Sequence, residues 1–273
     1  MKEGVLKKPM DSMAYEKRMR YDELADGKIP PYVFRLIKKC GKAINDFDMI
    51  REGEKVLIGI SGGKDSLLLS LCLSQRLKWL PVKYQLKAVM IEWVETPLQP
   101  EQRSVLYRYF DKLEVPFEII SEQQHSDGFK GEFNCYLCSR NRRRILFDMA
   151  AKDGIHLIAL GHHLDDIVET SLMNLVFRSR LESMNPVQNF FDGKLSVIRP
   201  LCLLDEASIS RVCANYDIPV VKSSCPFDQV NIRSRLKPII REFSHMDKHV
   251  RKHVFDAYGF DCRPARPWLD SEA

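Results

Sequence analysis

Residues 55–73 constrain the fold most. Val56-Leu57-Ile58-Gly59-Ile60 has the length and apolar content of a buried strand, Ser61-Gly62-Gly63-Lys64-Asp65-Ser66 is a polar glycine turn, and residues 67–73 are apolar enough to line the inside of a helix. Strand, loop and helix in that order open a βαβ unit. Short apolar runs recur at 87–92, 116–120, 156–161 and 218–222, separated by stretches long enough for helices. The alternation predicts an α/β fold on a doubly wound parallel sheet. Ligands of such sheets sit beyond the carboxyl ends of the strands, so the residues after Ile60, Met90 and Leu160 should converge.

The remaining segments frame this unit. Residues 1–31 are rich in charge and end in Pro30-Pro31, which predicts a mobile arm or a short surface helix. Residues 32–47 space Val33, Leu36, Ile37, Cys40 and Ile44 by three and four, the stripe of a packed helix. The main domain is expected over 32–225, with a loop-like stretch at 181–196 and a helical extension over 226–273, in which Pro238 marks a kink or boundary. At 273 residues and 45% hydrophobic composition the chain can bury one large core. No apolar run approaches the roughly 18 residues that cross a bilayer, so no membrane partner is expected. Eight cysteines without the dense spacing of a disulfide scaffold point to a reducing, cytoplasmic setting. The net charge of +5 is modest, but Arg140, Arg142, Arg143 and Arg144 are clustered, which is either a solvated helix face or a contact for a polyanion.

A strand-to-helix turn presents unpaired amides and the positive end of a helix to phosphate. Within residues 61–66 the glycines admit close approach, Ser61 and Ser66 can donate to phosphate oxygens, Lys64 can neutralise a leaving pyrophosphate, and Asp65 can hold Mg2+ or order the loop. The plainer alternative is an ordinary turn capped by Ser61 or Asp65. GxxxxGK[ST] does not align here, because Gly59 and Gly63 are one residue too close and Asp65 follows the lysine, which disfavours γ-phosphate chemistry. The hexapeptide resembles instead the loop of the N-type ATP pyrophosphatases, which cleave ATP between the α and β phosphates.

Gly161-His162-His163-Leu164-Asp165-Asp166 ends another apolar run and opens another helix. Taken alone, Asp165 reads as a helix N-cap and the histidine pair as a strand terminus. At the sheet edge shared with the phosphate loop, Asp165 can hold Mg2+ or assist a nucleophile, and Gly161 permits nucleotide contact. Cys135 and Cys138 open a basic helix about one turn apart, where nearby arginines favour thiolates. A zinc knuckle, a redox dithiol and iron-sulfur ligation all use such a pair. Zinc lacks a second C-x-x-C, and a thioredoxin-like motif belongs after the first strand of its fold.

In their order along the chain, SGGKDS at 61–66, C-x-x-C at 135–138, GHHLDD at 161–166, Ile198-Arg199-Pro200-Leu201 and Cys225 resemble the tRNA 2-thiocytidine biosynthesis family over residues 32–245. The resemblance implies the adenine nucleotide alpha hydrolase-like fold of PP-loop ATP pyrophosphatases. It implies ATP, Mg2+ and a 4Fe-4S cluster held by Cys135, Cys138 and Cys225. ATP would be bound by residues 61–66 with Met90, Arg142, Gly161, His162 and Asp165, and the catalytic groups would be Lys64, Asp65 and Asp165. The substrate would be a tRNA base, probed by Arg140, Arg143 and Arg144. The sulfur would come from a cysteine desulfurase or free sulfide, and the chain is compatible with a homodimer. The family often carries a second late C-x-x-C; here Asp228 stands three residues after Cys225. The alternatives are the same chemistry on a small molecule or another RNA, and an ATP-binding iron-sulfur sensor without turnover.

Overall fold

The computed structural model describes residues 19–124, 135–221 and 232–270. In chain order the elements are α1 (Arg20–Ala25), α2 (Pro31–Asp46), β1 (Lys55–Ile60), α3 (Lys64–Trp79), β2 (Gln85–Trp93), α4 (Pro100–Lys112), β3 (Phe117–Glu122), α5 (Cys135–Lys152), β4 (Leu157–Ala159), α6 (Leu164–Arg178), β5 (Val187–Phe190), β6 (Leu195–Ile198), α7 (Glu206–Asn215), α8 (Ile232–Met246), α9 (Val250–Ala257) and α10 (Pro267–Asp270).

The strands form one sheet in the order β3-β2-β1-β4-β6-β5, all parallel except β5, which runs antiparallel to β6. Alternation along β1 sends Val56, Ile58 and Ile60 into one core with Leu67 and Leu71 of α3, and Leu57 into a second core with Ile145, Leu146 and Ala150 of α5. The chain builds outward from β1 through β2 to β3, then returns across the sheet to β4. A right-handed crossover in that reversed direction puts α5 on the opposite face from α3 and α4. Order reverses between β1 and β4, so the loops after these two strands face each other across a crevice.

The helix of residues 32–47 is α2, which starts at Pro31 and buries Val33, Leu36, Ile37, Cys40 and Ile44 as the spacing predicts. Three expectations need correction. Residues 218–221 form no strand: Pro219 has no N–H to give to a ladder, and the Val221 N–H instead donates to the Gly62 carbonyl at 2.9 Å, while Lys222 lies outside the described residues. The stretch 181–196 holds β5 and the start of β6, joined around Gly193, whose φ of +84° makes the reversal. Pro238 is not a helix boundary, since α8 continues through it. Within the charged amino-terminal segment, α1 is a short helix that exposes Arg20 and Glu23 and buries its other face, where Tyr21 and Leu24 pack inward and the Tyr21 ring meets Tyr109 edge-on at 5.1 Å.

Candidate active site

The phosphate loop leaves β1 at the centre of the sheet. Gly62 has φ +80°, a conformation open to glycine, and a Cβ there would lie 3.1 Å from the Val221 carbonyl oxygen and 3.3 Å from Met90 Cε. The loop is braced internally: Ser66 Oγ donates to the Gly63 carbonyl at 3.0 Å and accepts from the Ser61 amide at 3.2 Å, and the Gly63 amide donates to Ser61 Oγ at 3.3 Å. Gly63 precedes the first turn of α3 in an extended conformation, which directs that turn's free amides into the crevice.

Lys64 Nζ donates to Asp65 at 3.2 Å and to Glu206 of α7 at 3.0 Å. Burial works against its charge, but the two carboxylates outweigh it and raise the ammonium above its ordinary value. Lys64 is therefore a fixed, permanent cation at the place where phosphate charge would develop. Burial lifts the Asp65 carboxyl above the ordinary carboxylate range, with His163 and Lys64 opposing. Its Oδ1 is buried, 3.2 Å from Lys64 Nζ as an ion pair and 3.6 Å from His163 Nε2.

The second loop, after β4, touches the first directly. A Cβ on Gly161 would lie 2.8 Å from the Asp65 carbonyl carbon and the Ser66 nitrogen, and neither backbone atom can yield. Gly161→Ala is expected to destabilise the fold by about 1–3 kcal/mol, the usual cost of overpacking, and to weaken ATP binding. Urea unfolding and nucleotide titration check the two effects. His162 is half-buried beside it. The N-cap of α6 is His163, not Asp165: its Nδ1 accepts from the Asp166 amide at 3.4 Å, and Asp166 accepts from the His163 amide at 2.9 Å. Asp165 sits inside the first turn with both oxygens engaged. Oδ1 accepts from Arg251 Nε at 2.5 Å, and Oδ2 accepts from the Glu206 amide at 2.7 Å.

Glu206 and Arg251, which sequence reasoning missed, tie the site to the C-terminal helices. Glu206 also takes Lys237 of α8 at 3.0 Å, and Lys237 reaches the buried Glu169 at 3.9 Å. Burial opposes the Glu206 charge, yet the hydrogen bonds from Lys237 and Lys64 prevail and hold the carboxyl at about 2. A depressed carboxyl contributes stability that is full above its unfolded value near 4.5 and is lost as pH falls toward 2. Wild type is therefore expected to exceed Glu206→Gln in stability at pH 6, with the gap closing between pH 4.5 and 2 in thermal melts across that range.

A cavity of about 160 Å³ opens beside the loop, walled by Ser61, Met90, Trp93, Leu98, Arg142 and Val221. The Arg142 guanidinium lies over the Trp93 ring at 5.3 Å. Glu92, also unflagged by sequence, shapes the rim: its buried carboxylate accepts from the Leu98 amide at 2.6 Å, from Ser121 Oγ at 2.9 Å and from Arg103. A carboxylate set within the apolar run 88–93 is the signal the sequence carries.

Cys135 opens α5, with its side chain outside the described residues. Cys138 is half-buried against the core on the α5 face. Cys225 lies outside the described residues. Among the arginines, Arg140 is exposed, Arg144 pairs with Asp148 at 3.1 Å, and Arg143 is an exposed charge near Arg199. Arg199 is buried, donates to the Asn185 carbonyl at 2.5 Å, and is pushed down to about 10 by burial together with Arg143. It fastens the segment before β5. Among the described residues no helix is long and apolar enough to cross a membrane.

A switch-point crevice with this glycine loop defines a PP-loop nucleotide-binding protein, and the model of the PP-loop domain family matches residues 34–243. The chain is 35% identical over 245 residues to the tRNA-cytidine(32) 2-sulfurtransferase of Herminiimonas arsenicoxydans, covering 83% of this chain and 76% of that one. It is 34% identical over 238 residues to the enzyme of the same name from Pelobacter propionicus, covering 83% and 86%. The chain belongs to the tRNA-cytidine(32) 2-sulfurtransferase family of PP-loop proteins. Its fold is similar to that of the U34-tRNA thiolase NcsA from Methanococcus maripaludis, solved with its [4Fe-4S] cluster. There the TM-score is 0.69 at 20% identity over 84% of this chain and 78% of that one.

Proposed function

We propose that the chain is an ATP-dependent tRNA thiolase that activates the 2-carbonyl of a cytidine and replaces its oxygen with sulfur. One observation carries the reading. Arg142, in the wall of the cavity beside the phosphate loop, is four residues after Cys138 on α5, so one helix joins the thiol pair to the nucleotide side of the crevice.

A pyrimidine carbonyl oxygen is a poor leaving group. Attack of that oxygen on the ATP α-phosphorus forms an adenylate and releases pyrophosphate, after which a sulfur nucleophile adds to C2 and expels AMP. Lys64 and the amides at the start of α3 stabilise charge on the α-phosphorus and on pyrophosphate. Asp65 would hold Mg2+ through its carboxylate once bound phosphate draws the Lys64 ammonium away from Oδ1. Asp165 acts by positioning: through Arg251 and the Glu206 amide it fixes the carboxylate that holds Lys64. Ser61, Met90 and Arg142 hold the nucleotide against Trp93.

The described thiols favour Cys138 as a cluster ligand over the buried ones. Among the described cysteines, Cys40, Cys72, Cys202 and Cys213 are buried, and burial pushes the Cys213 thiol up to about 12 and Cys202 further, whereas Cys138 is half-buried in the first turn of a basic helix. A 4Fe-4S cluster on Cys135, Cys138 and Cys225 would supply one iron without a protein ligand as a seat for exogenous sulfur. That sulfur arrives from a cysteine desulfurase or as free sulfide, in the cytoplasm. A homodimer would cover exposed apolar side chains such as Phe177, Phe243 and Met246.

Mass spectrometry of tRNA nucleosides tests the reading. A deletion strain should lack 2-thiocytidine and regain it on complementation. Unchanged thionucleosides would overturn the assignment.

A further inference from the structure

Two cavities away from the phosphate loop share Lys39 and Asp205. One, of about 220 Å³, lies between α2 and α7 and includes Arg35, Lys39 and Arg211. The other, of about 610 Å³, runs from Asp165 and Glu206 to Arg241 on α8, to Lys248 in the turn that follows, and to Arg251 on α9. Together they make a continuous groove that ends beside the carboxylates bracing the active site.

The charges in this groove are not balanced. Each acid is already engaged. Asp165 holds Arg251, Glu206 holds Lys64 and Lys237, and Asp205 caps α7 by accepting from the Ser208 amide at 2.8 Å and from Ser208 Oγ at 2.9 Å. The cations are not engaged in the same way. Arg35, Lys39, Arg211, Arg241 and Lys248 are all exposed, and among the described residues none has a carboxylate within ion-pair distance. Four exposed cations without carboxylate partners, joined by Lys39 whose charge is felt by Asp205, line a groove whose inner end is the pair of carboxylates bracing the active site.

We propose that this groove binds the phosphate backbone of the RNA stem that carries the reacting base. The assignment rests on the thiolation reading above, since a base entering the crevice must bring its own strand past the mouth. The groove lies on the α7–α9 side of Lys64, whereas Arg140, Arg142 and Arg143 belong to α5 on the other face of the sheet, so the stem is held from the side opposite the thiol pair. Contacts of this kind are sequence-independent and give binding a steep salt dependence. Recognition of the particular nucleotide is left to the crevice.

The test is fluorescence anisotropy with the full chain and an unmodified tRNA transcript, titrated between about 50 and 200 mM salt. Arg241→Glu/Lys248→Glu and Arg35→Glu/Arg211→Glu are each expected to weaken binding about tenfold or more and to lower the salt slope by about one to two. Lys55→Glu/Lys112→Glu, placed at the start of β1 and the end of α4, should match wild type. ATP binding and thermal melting should be unchanged in all three. Groove variants with wild-type affinity and slope would overturn the groove while leaving the thiolase reading intact. Unchanged transcript binding with loss of turnover driven by a protein sulfur donor would mark a protein-docking face and overturn it equally. A wild-type chain that does not hold the transcript at low salt would overturn both.

Discussion

Lys64→Ala is expected to slow ATP consumption about a hundredfold, the scale seen when one preorganised charge-stabilising donor is removed, while the products remain AMP and pyrophosphate. The lysine is placed by local and distant constraints together. The first turn of α3 aims it into the crevice, and Asp65 and Glu206 hold its ammonium from two sides. Both carboxylates would be partly displaced by bound phosphates, so the ammonium is positioned for charge that appears only when ATP binds and cleaves. ATP affinity should fall less than the rate, because the loop amides and the wall of Met90 and Arg142 remain. Lys64→Arg should not restore the rate, since a planar fork does not fit between the two carboxylates that hold a compact ammonium. Product analysis by chromatography, with and without tRNA, checks both. ADP and phosphate as products would exclude α,β cleavage.

The parts of this site that were legible in the sequence are those made locally. A strand that stops at Ile60, glycines that permit the turn, and a helix that begins at once at Lys64 need only neighbouring residues, so the hexapeptide and its place on the sheet could be read together. The same holds for α2 and its stripe. The partners of Lys64 and Asp165 were not legible, because Glu206 is 142 positions from Lys64 and Arg251 is 86 from Asp165, and nothing in the intervening composition ties them. The β5–β6 hairpin was hidden by Asp192 and Gly193, turn residues that made the whole stretch look like loop. Residues 218–221 misled in the opposite sense. The run is apolar, but its burial is not a strand's alternation, Ile218 and Val221 being buried and Val220 exposed, and Pro219 interrupts the donors while the Val221 amide goes to Gly62. His163 took the N-cap from Asp165 because a ring nitrogen can accept the same amide that a carboxylate would.

Replacing Cys138 with Ala is expected to remove the cluster iron and abolish tRNA thiolation, with ATP binding kept to within about a factor of a few. Cys135→Ala and Cys225→Ala should do the same. Two cysteines three residues apart at a helix start lie about one turn apart along it. The chain's other described thiols are poor substitutes. Cys40, Cys72, Cys202 and Cys213 are buried, and Cys262, half-buried, has its thiol raised by burial and accepts from the Val187 amide at 3.4 Å. Among the described cysteines none is placed to replace a ligand lost from a three-cysteine site. ATP binding should survive, because Cys138 packs against the core on the α5 face while Arg142, one turn further along, lines the nucleotide cavity. Anaerobically reconstituted wild type should hold about four irons per chain. Cys262→Ser should keep them, and each ligand variant should lose most of them along with the visible absorbance of the cluster. Stoichiometric zinc without iron in the anaerobic protein, or full thiolation by Cys138→Ala, would rule out sulfur delivery from this helix.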